Sequence, residues 1–210
     1  MINIVGAGSL GSFSAFLLAK MTAVLRCQIR VTDFDKVELH NVQNQLYKEA
    51  HVGMLKVQAL KEIVSETVGV DLLIEDKEIG ENSDLRGIVV VLVDNMKTRV
   101  NIFNSCKFNP AVKYFIDART GENEALVFAL NPCDPDWVRR YESMLFLDSQ
   151  AQAPVCARPD TVPTLWFVAA IIAKLVLNFV SKKVFTNEFY QATINLNPWP
   201  SVVSDVQEDM

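Results

Sequence analysis

Ile2-Asn3-Ile4-Val5-Gly6-Ala7-Gly8-Ser9-Leu10-Gly11 is the stretch that decides the fold of this 210-residue chain. Ile2–Val5 is a short apolar run that ends in glycines, as buried parallel strands do. Ser9 to Leu25 follows with helical spacing. Between them stands a GxGxxG pattern, in the strand-to-helix context that gives it meaning. Gly6 permits the tight turn, Gly8 has no Cβ to block phosphates, and Gly11 lets the helix pack close to the strand. The helix N-terminus then offers unpaired N–H groups and a partial positive charge to an anion. Asp33 closes the next strand, Gln28–Thr32, about 20 residues on, and is placed to accept hydrogen bonds from ribose hydroxyls. The motif says nucleotide; it does not choose between NAD and ATP.

Outward from this unit, strands and helices alternate. Residues 34–50 are polar and irregular, too long for an ordinary βα loop, and such loops tend to carry function. Gly53–Val68 reads as an amphipathic helix, Asp71–Ile79 and Gly87–Val93 as strands, Met96–Lys107 as a helix and Val112–Ile116 as a strand. The character then changes. Glu124–Leu130 reads as a strand with no helix before it, Pro132–Arg140 as a short polar helix, Leu147–Thr161 as loop, Val162–Val180 as an apolar helix and Glu188–Leu196 as a last strand. The predicted class is α/β, a Rossmann-like doubly wound sheet, mostly parallel, with antiparallel strands in its C-terminal part. One domain is expected over residues 1–200, followed by a flexible acidic tail, 201–210.

Composition narrows the partners. Half the residues are hydrophobic, enough for a full core. The net charge is −5 with Lys and Arg scattered, which argues against nucleic acid, since binding phosphate backbones needs a basic face. The four cysteines Cys27, Cys106, Cys133 and Cys156 include no CxxC pair. Neither structural zinc nor a disulfide framework is expected, and reduced thiols fit a cytoplasmic protein. Met1 runs straight into the first strand without the pattern of a signal peptide. Val162–Val180 is long enough to be weighed as a membrane span, but Lys174 and Asn178 lie inside it and Pro163 near its start. It is expected to be a buried helix at a subunit interface.

Three further segments bear on the chemistry. Asp33-Phe34-Asp35-Lys36-Val37-Glu38-Leu39-His40-Asn41-Val42-Gln43-Asn44-Gln45 leads from the ribose acid into a run ending in amides, suited to holding ribose and polyphosphate together. Lys56 opens a helix where its ammonium can reach phosphate oxygens. Val93-Asp94-Asn95-Met96-Lys97-Thr98-Arg99 sets an acid at the carboxyl end of a buried strand, where a carboxylate can hold Mg²⁺ against phosphates. Each has a plainer reading: Asp35 and Glu38 as solvated charges, Lys56 as an ordinary helix lysine, Asp94 as a cap with Asn95 its partner.

In order and spacing these segments resemble the ThiF/MoeB and ubiquitin-activating enzymes, from Ile2 to about Val180. The resemblance implies a nucleotide site of Gly6, Gly8, Gly11, Asp33, Asn41, Gln45, Lys56 and Arg99, with Asp94 binding Mg²⁺; Asp35 and Asn44 of the polar run join it as candidates read from the residues themselves. It implies an ATP-dependent adenylyltransferase acting on the C-terminal carboxylate of a ubiquitin-like or sulfur-carrier protein with a Gly-terminated tail. The carboxylate would attack the α-phosphate of ATP, pyrophosphate would leave, and an acyl-adenylate would remain. Lys56 and Asp94 would act by electrostatics and positioning. Pro154-Val155-Cys156-Ala157 looks like the loop where many members carry a conjugating cysteine, and Arg158 could favour a Cys156 thiolate. A homodimer around the apolar helices is expected.

The sequence departs from that family in places. Asn44 stands where many members carry arginine, so Arg99 or Arg119, the latter in Asp117-Ala118-Arg119-Thr120-Gly121-Glu122, is expected to supply the missing cation. The chain opens at the strand, without the preceding helix that donates an arginine to the partner subunit, and it lacks the two zinc-binding cysteine pairs. The alternatives are an NAD-dependent oxidoreductase and an inactive member that binds nucleotide or protein. His40 and His51 have no ligand partner at useful spacing.

Overall fold

The computed structural model describes residues 1–80, 83–146, 158–182 and 188–208. Strand β1 (Ile2–Val5) leads through the glycine turn into α1 (Ser9–Lys20) and a short α2 (Thr22–Leu25), which ends at Arg26 in a left-handed conformation. There follow β2 (Ile29–Thr32), α3 (Lys56–Val68), β3 (Leu73–Glu75), β4 (Gly87–Val91) and α4 (Met96–Cys106). The C-terminal half contributes β5 (Val112–Thr120), β6 (Glu124–Leu130), α5 (Pro135–Glu142), α6 (Val162–Val180), β7 (Glu188–Asn195) and β8 (Ser201–Glu208).

All eight strands form one sheet, ordered β3-β2-β1-β4-β5-β6-β7-β8. β1 to β5 pair in parallel and β5 to β8 antiparallel, as the mixed pattern predicted. The side-chain period of two along a strand builds two cores. Ile88 and Val90 of β4 join Ile2 and Ile4 under α1, α3 and α6, while Val89 and Val91 join Phe115 and Phe128 under α4 and α5. The order reverses between β1 and β4. Open α/β sheets bind ligands outside the carboxyl ends of the strands at such a switch point.

Several boundaries move for local reasons. Gly53 has a positive φ of 91°, so α3 starts at Lys56 rather than Gly53. The helix expected from Pro132 starts at Pro135, because the Asp134 carboxylate accepts hydrogen bonds from the N–H groups of Asp136 and Trp137. The strand expected over Asp71–Ile79 contracts to three residues at the sheet edge. β5 runs on through Asp117 to Thr120 instead of stopping at Ile116.

The C-terminal tail is the clearest correction. Ser201–Glu208, read as frayed, is a strand paired along its whole length with β7, from Ser201 opposite Asn195 to Glu208 opposite Glu188. α6 is as long as expected and apolar enough to cross a membrane by length and composition. It nevertheless packs into the fold. Trp166 meets Phe13 of α1 at 4.6 Å, and Phe179 stacks on Tyr114 of β5 at 4.5 Å.

Candidate functional site

The three candidate segments follow three adjacent strands. The glycine loop follows β1, Asp33 follows β2, and Asp94 follows β4, so all lie at the carboxyl edge around the switch point. Gly6 and Gly11 take the turn and close-packing roles that the sequence implied. Gly6 has a φ of 99°, and a Cβ there would meet the Leu92 carbonyl oxygen at 2.6 Å. A Cβ on Gly11 would come within 2.0 Å of the Gly6 carbonyl oxygen, whereas one on Gly8 would meet nothing within 4 Å. Gly8 therefore faces open space at the start of α1. Among the described residues no side chain caps that helix, and its first N–H groups have no intrahelical acceptor.

Asp33 closes the loop from the side. One carboxylate oxygen accepts from the Ala7 N–H at 2.6 Å and the other from the Asp35 N–H at 2.7 Å. Burial pushes its carboxyl above the usual range, against those two hydrogen bonds and the Lys56 charge. A second group, which the sequence reading missed, holds the same loop. The buried Tyr47 hydroxyl donates to the Ala7 carbonyl at 2.6 Å. Burial, then the charges of Asp33 and Asp35, raises the phenol well above its ordinary value, so it stays a donor. Ala7 is thus clamped at both its N–H and its C=O from the two ends of the polar segment. Tyr47→Phe leaves that carbonyl unpaired. It is expected to lower the melting temperature by about 2–10 °C, measured by scanning calorimetry, and to weaken nucleotide binding in parallel.

The polar segment folds back on itself. Lys56 is buried at the first position of α3; its Nζ meets the Asp35 carboxylate at 2.8 Å and its backbone N–H donates to the Asp35 carbonyl at 2.8 Å. Asn41 is spent on structure: its side-chain oxygen accepts from the Glu38 N–H at 2.8 Å. Asn44 and Gln45 differ. Each has a buried side-chain oxygen with no hydrogen-bond partner among the described residues. A buried unpaired polar atom is costly, and a ligand would relieve it. His51 is buried and accepts from the Lys48 N–H at 3.1 Å; His40 lies 3.3 Å from Glu38.

At the third segment the capping role falls to Asn95, not Asp94. The Asn95 side chain accepts from the Thr98 N–H at 2.8 Å and touches Asp94 only at 3.3 Å. The Asp94 carboxylate stays exposed. Among the described residues no three of His, Cys, Asp and Glu converge.

Arg99 and Arg119, expected as compensating cations, both pair with Asp117. Arg99 is 3% exposed, ion-paired with Asp117, and donates to the Val93 carbonyl. Arg119 pairs with Asp117 at 3.0 Å, donates to the Met144 carbonyl at 2.9 Å, and lies over the rings of Phe128, Tyr141 and Phe146. Cys156, with Pro154–Ala157, lies outside the described residues. Arg158, expected to favour its thiolate, is ion-paired with Glu122 at 2.6 Å and with Asp160. Cys106 is a core thiol, pushed up to about 12 by burial.

The fold is a Rossmann-like α/β sheet whose candidate segments gather at the β1–β4 switch point. The model of the ThiF family matches residues 1–208, and the chain belongs to that family. No curated protein sequence matches it. Among solved structures, PaaA is 18% identical with a TM-score of 0.70, the match covering 99% of this chain and 72% of that one. MccB of E. coli with AMPCPP and MccA is 18% identical with a TM-score of 0.72, covering 100% of this chain and 64% of that one. MccB with ATP gives 18% and 0.70, covering 100% and 63%. At this identity the likeness speaks for the fold, and the chain spans less than two thirds of the MccB length.

Proposed function

We propose that this chain is an ATP- and Mg²⁺-dependent adenylyltransferase that activates the C-terminal carboxylate of a polypeptide. The expected substrate is a ubiquitin-like or sulfur-carrier protein with a Gly-terminated tail. The observation that carries the reading is the convergence at one sheet edge of an open, uncapped glycine loop, the loop-bound Asp33 and the exposed Asp94. The unpaired oxygens of Asn44 and Gln45 supply the fit for a polar ligand. Structures of MccB hold ATP, or AMPCPP together with MccA, so this fold can take a nucleotide and, in the AMPCPP complex, a polypeptide with it.

In the proposed reaction a carboxylate oxygen attacks the α-phosphorus, and the bond from that phosphorus to the bridging oxygen breaks. Pyrophosphate leaves with the electron pair. The α1 N-terminus and Lys56 would take up phosphate charge, and Asp33 would hold the ribose hydroxyls. Asp94 would hold Mg²⁺, which when bound neutralises phosphate charge as it moves onto the leaving group. No protein acid or base is needed to deprotonate a substrate that is already a carboxylate. A transfer of the acyl group to the Cys156 sulfur, with AMP leaving, is the finer possibility within this reading, as are a homodimer around α6, where Phe167 is 38% exposed, and a cytoplasmic setting.

The test is ATP–pyrophosphate exchange dependent on a Gly-terminated carrier. Asp94→Ala is expected to reduce exchange by about 10²-fold with an unchanged melting temperature. ATP should protect the chain against melting and NADH should not. A second reading, a member that binds nucleotide without catalysis, is favoured by neutral Asn44 and by the engagement of Arg99 and Arg119 with Asp117. Protection by Mg-ATP with no exchange for any carrier would select it.

A further inference from the structure

Asp117 lies on β5 opposite Val91 of β4, one strand from the turn that carries Asp94. Its carboxylate is 0% exposed and accepts from three donors. One oxygen takes Arg99; the other takes the Arg119 Nε at 3.0 Å and the Tyr141 hydroxyl at 2.9 Å. Phe103, Phe115 and Phe128 pack their rings around Tyr141, and an apolar surround of this kind strengthens such bonds.

The route leads out of the core through Arg99. Its second terminal nitrogen donates to the carbonyl of Val93, the residue directly before Asp94. A guanidinium is a rigid planar fork, so fixing one nitrogen sets the direction of the other. Among the described residues the Asp94 side chain makes only the 3.3 Å contact from Asn95, so the direction of its carboxylate follows the backbone that Arg99 holds.

We infer that Asp117 is a positioning residue which, acting through Arg99 on the Val93 carbonyl, orients Asp94 for a divalent cation. This rests on the reading of Asp94 as the Mg²⁺ ligand. Groups that orient a ligand residue characteristically change metal affinity by about 10–100-fold when lost.

Asp117→Asn keeps the shape and removes the charge that holds Arg99. Nucleotide binding is measured by calorimetry on the full chain, below each variant's melting temperature, with ATP in EDTA and with ATP across a Mg²⁺ titration. The Mg²⁺ concentration for half-maximal enhancement of binding is expected to rise about tenfold or more, while metal-free ATP affinity stays within twofold. Arg99→Lys keeps a cation for Asp117 but lacks the rigid planar fork that ties the direction of one donor to the other, and is expected to give the same shift should Asp117→Asn not fold. In an Asp94→Ala background neither change should alter the Mg²⁺ response. Tyr141→Phe, which removes one donor from Asp117 and leaves Arg99 in place, should lower stability without moving the Mg²⁺ midpoint. Equal losses with and without metal, or a Mg²⁺ shift in Tyr141→Phe as large as in Asp117→Asn, would reduce Asp117 to a structural ion pair and overturn the inference. Wild-type ATP binding that ignores Mg²⁺ would instead overturn the assignment of Asp94, and the inference with it.

Discussion

Lys56→Ala is expected to reduce carrier-dependent ATP–pyrophosphate exchange by about 10²–10³-fold, the usual effect of removing one preorganised donor from developing phosphate charge. The fold should survive. The ion partner of Lys56, Asp35, has a side chain 52% exposed while that of Lys56 is 10% exposed, so water takes over the carboxylate once the ammonium is gone. The Lys56 backbone bond to the Asp35 carbonyl is untouched by the substitution. Exchange assays alongside a melting curve separate the two effects. A variant that melts like the wild type and exchanges at the wild-type rate would remove Lys56 from the chemistry.

The second large effect is steric. In Gly11→Ala the new methyl would sit 2.0 Å from the Gly6 carbonyl oxygen, a backbone atom that cannot swing aside. α1 must then move away from the turn, and a loss of more than about 3 kcal/mol is expected. Gly8→Ala is the contrasting case. Its Cβ meets nothing within 4 Å and its φ is −72°, so the melting temperature should barely change, while the methyl enters the space read as the phosphate seat. Calorimetry on both variants, with and without ATP, should show loss of stability in the first and loss of ligand protection in the second. Full ATP protection of Gly8→Ala would place the phosphates elsewhere.

The glycine loop was legible in the sequence because its logic is local: a turn, an open face and a close approach within six residues. The buried strands and α6 were legible too, since apolar runs state their burial directly. What escaped depends on partners far along the chain. Ser201–Glu208 has a polar, acidic composition, and only its pairing with β7 makes it a strand. Val203 and Val206, three positions apart and so on opposite faces, are both more than half exposed at the sheet edge, so no burial pattern announces it. Tyr47 lies in a segment that reads as polar loop, and its acceptor, Ala7, is forty residues earlier. Asp117-Ala118-Arg119 looks like the end of a strand approaching a ligand; the two arginines meet there on one carboxylate because β5 continues and α4 lies against it. Arg99 matched a family position, but position alone does not say whether a cation faces a ligand or a neighbouring side chain.

The antiparallel half of the sheet has a practical consequence for work with this protein. β1 starts, and β8 ends, at the amino rim: Glu208 lies opposite Glu188, where β7 begins, while the glycine loop and Asp94 occupy the other rim. A label placed at the start of β1 or the end of β8 therefore sits at the rim opposite the proposed nucleotide edge. The chain can be labelled or immobilised by its ends with the face to be assayed turned outward.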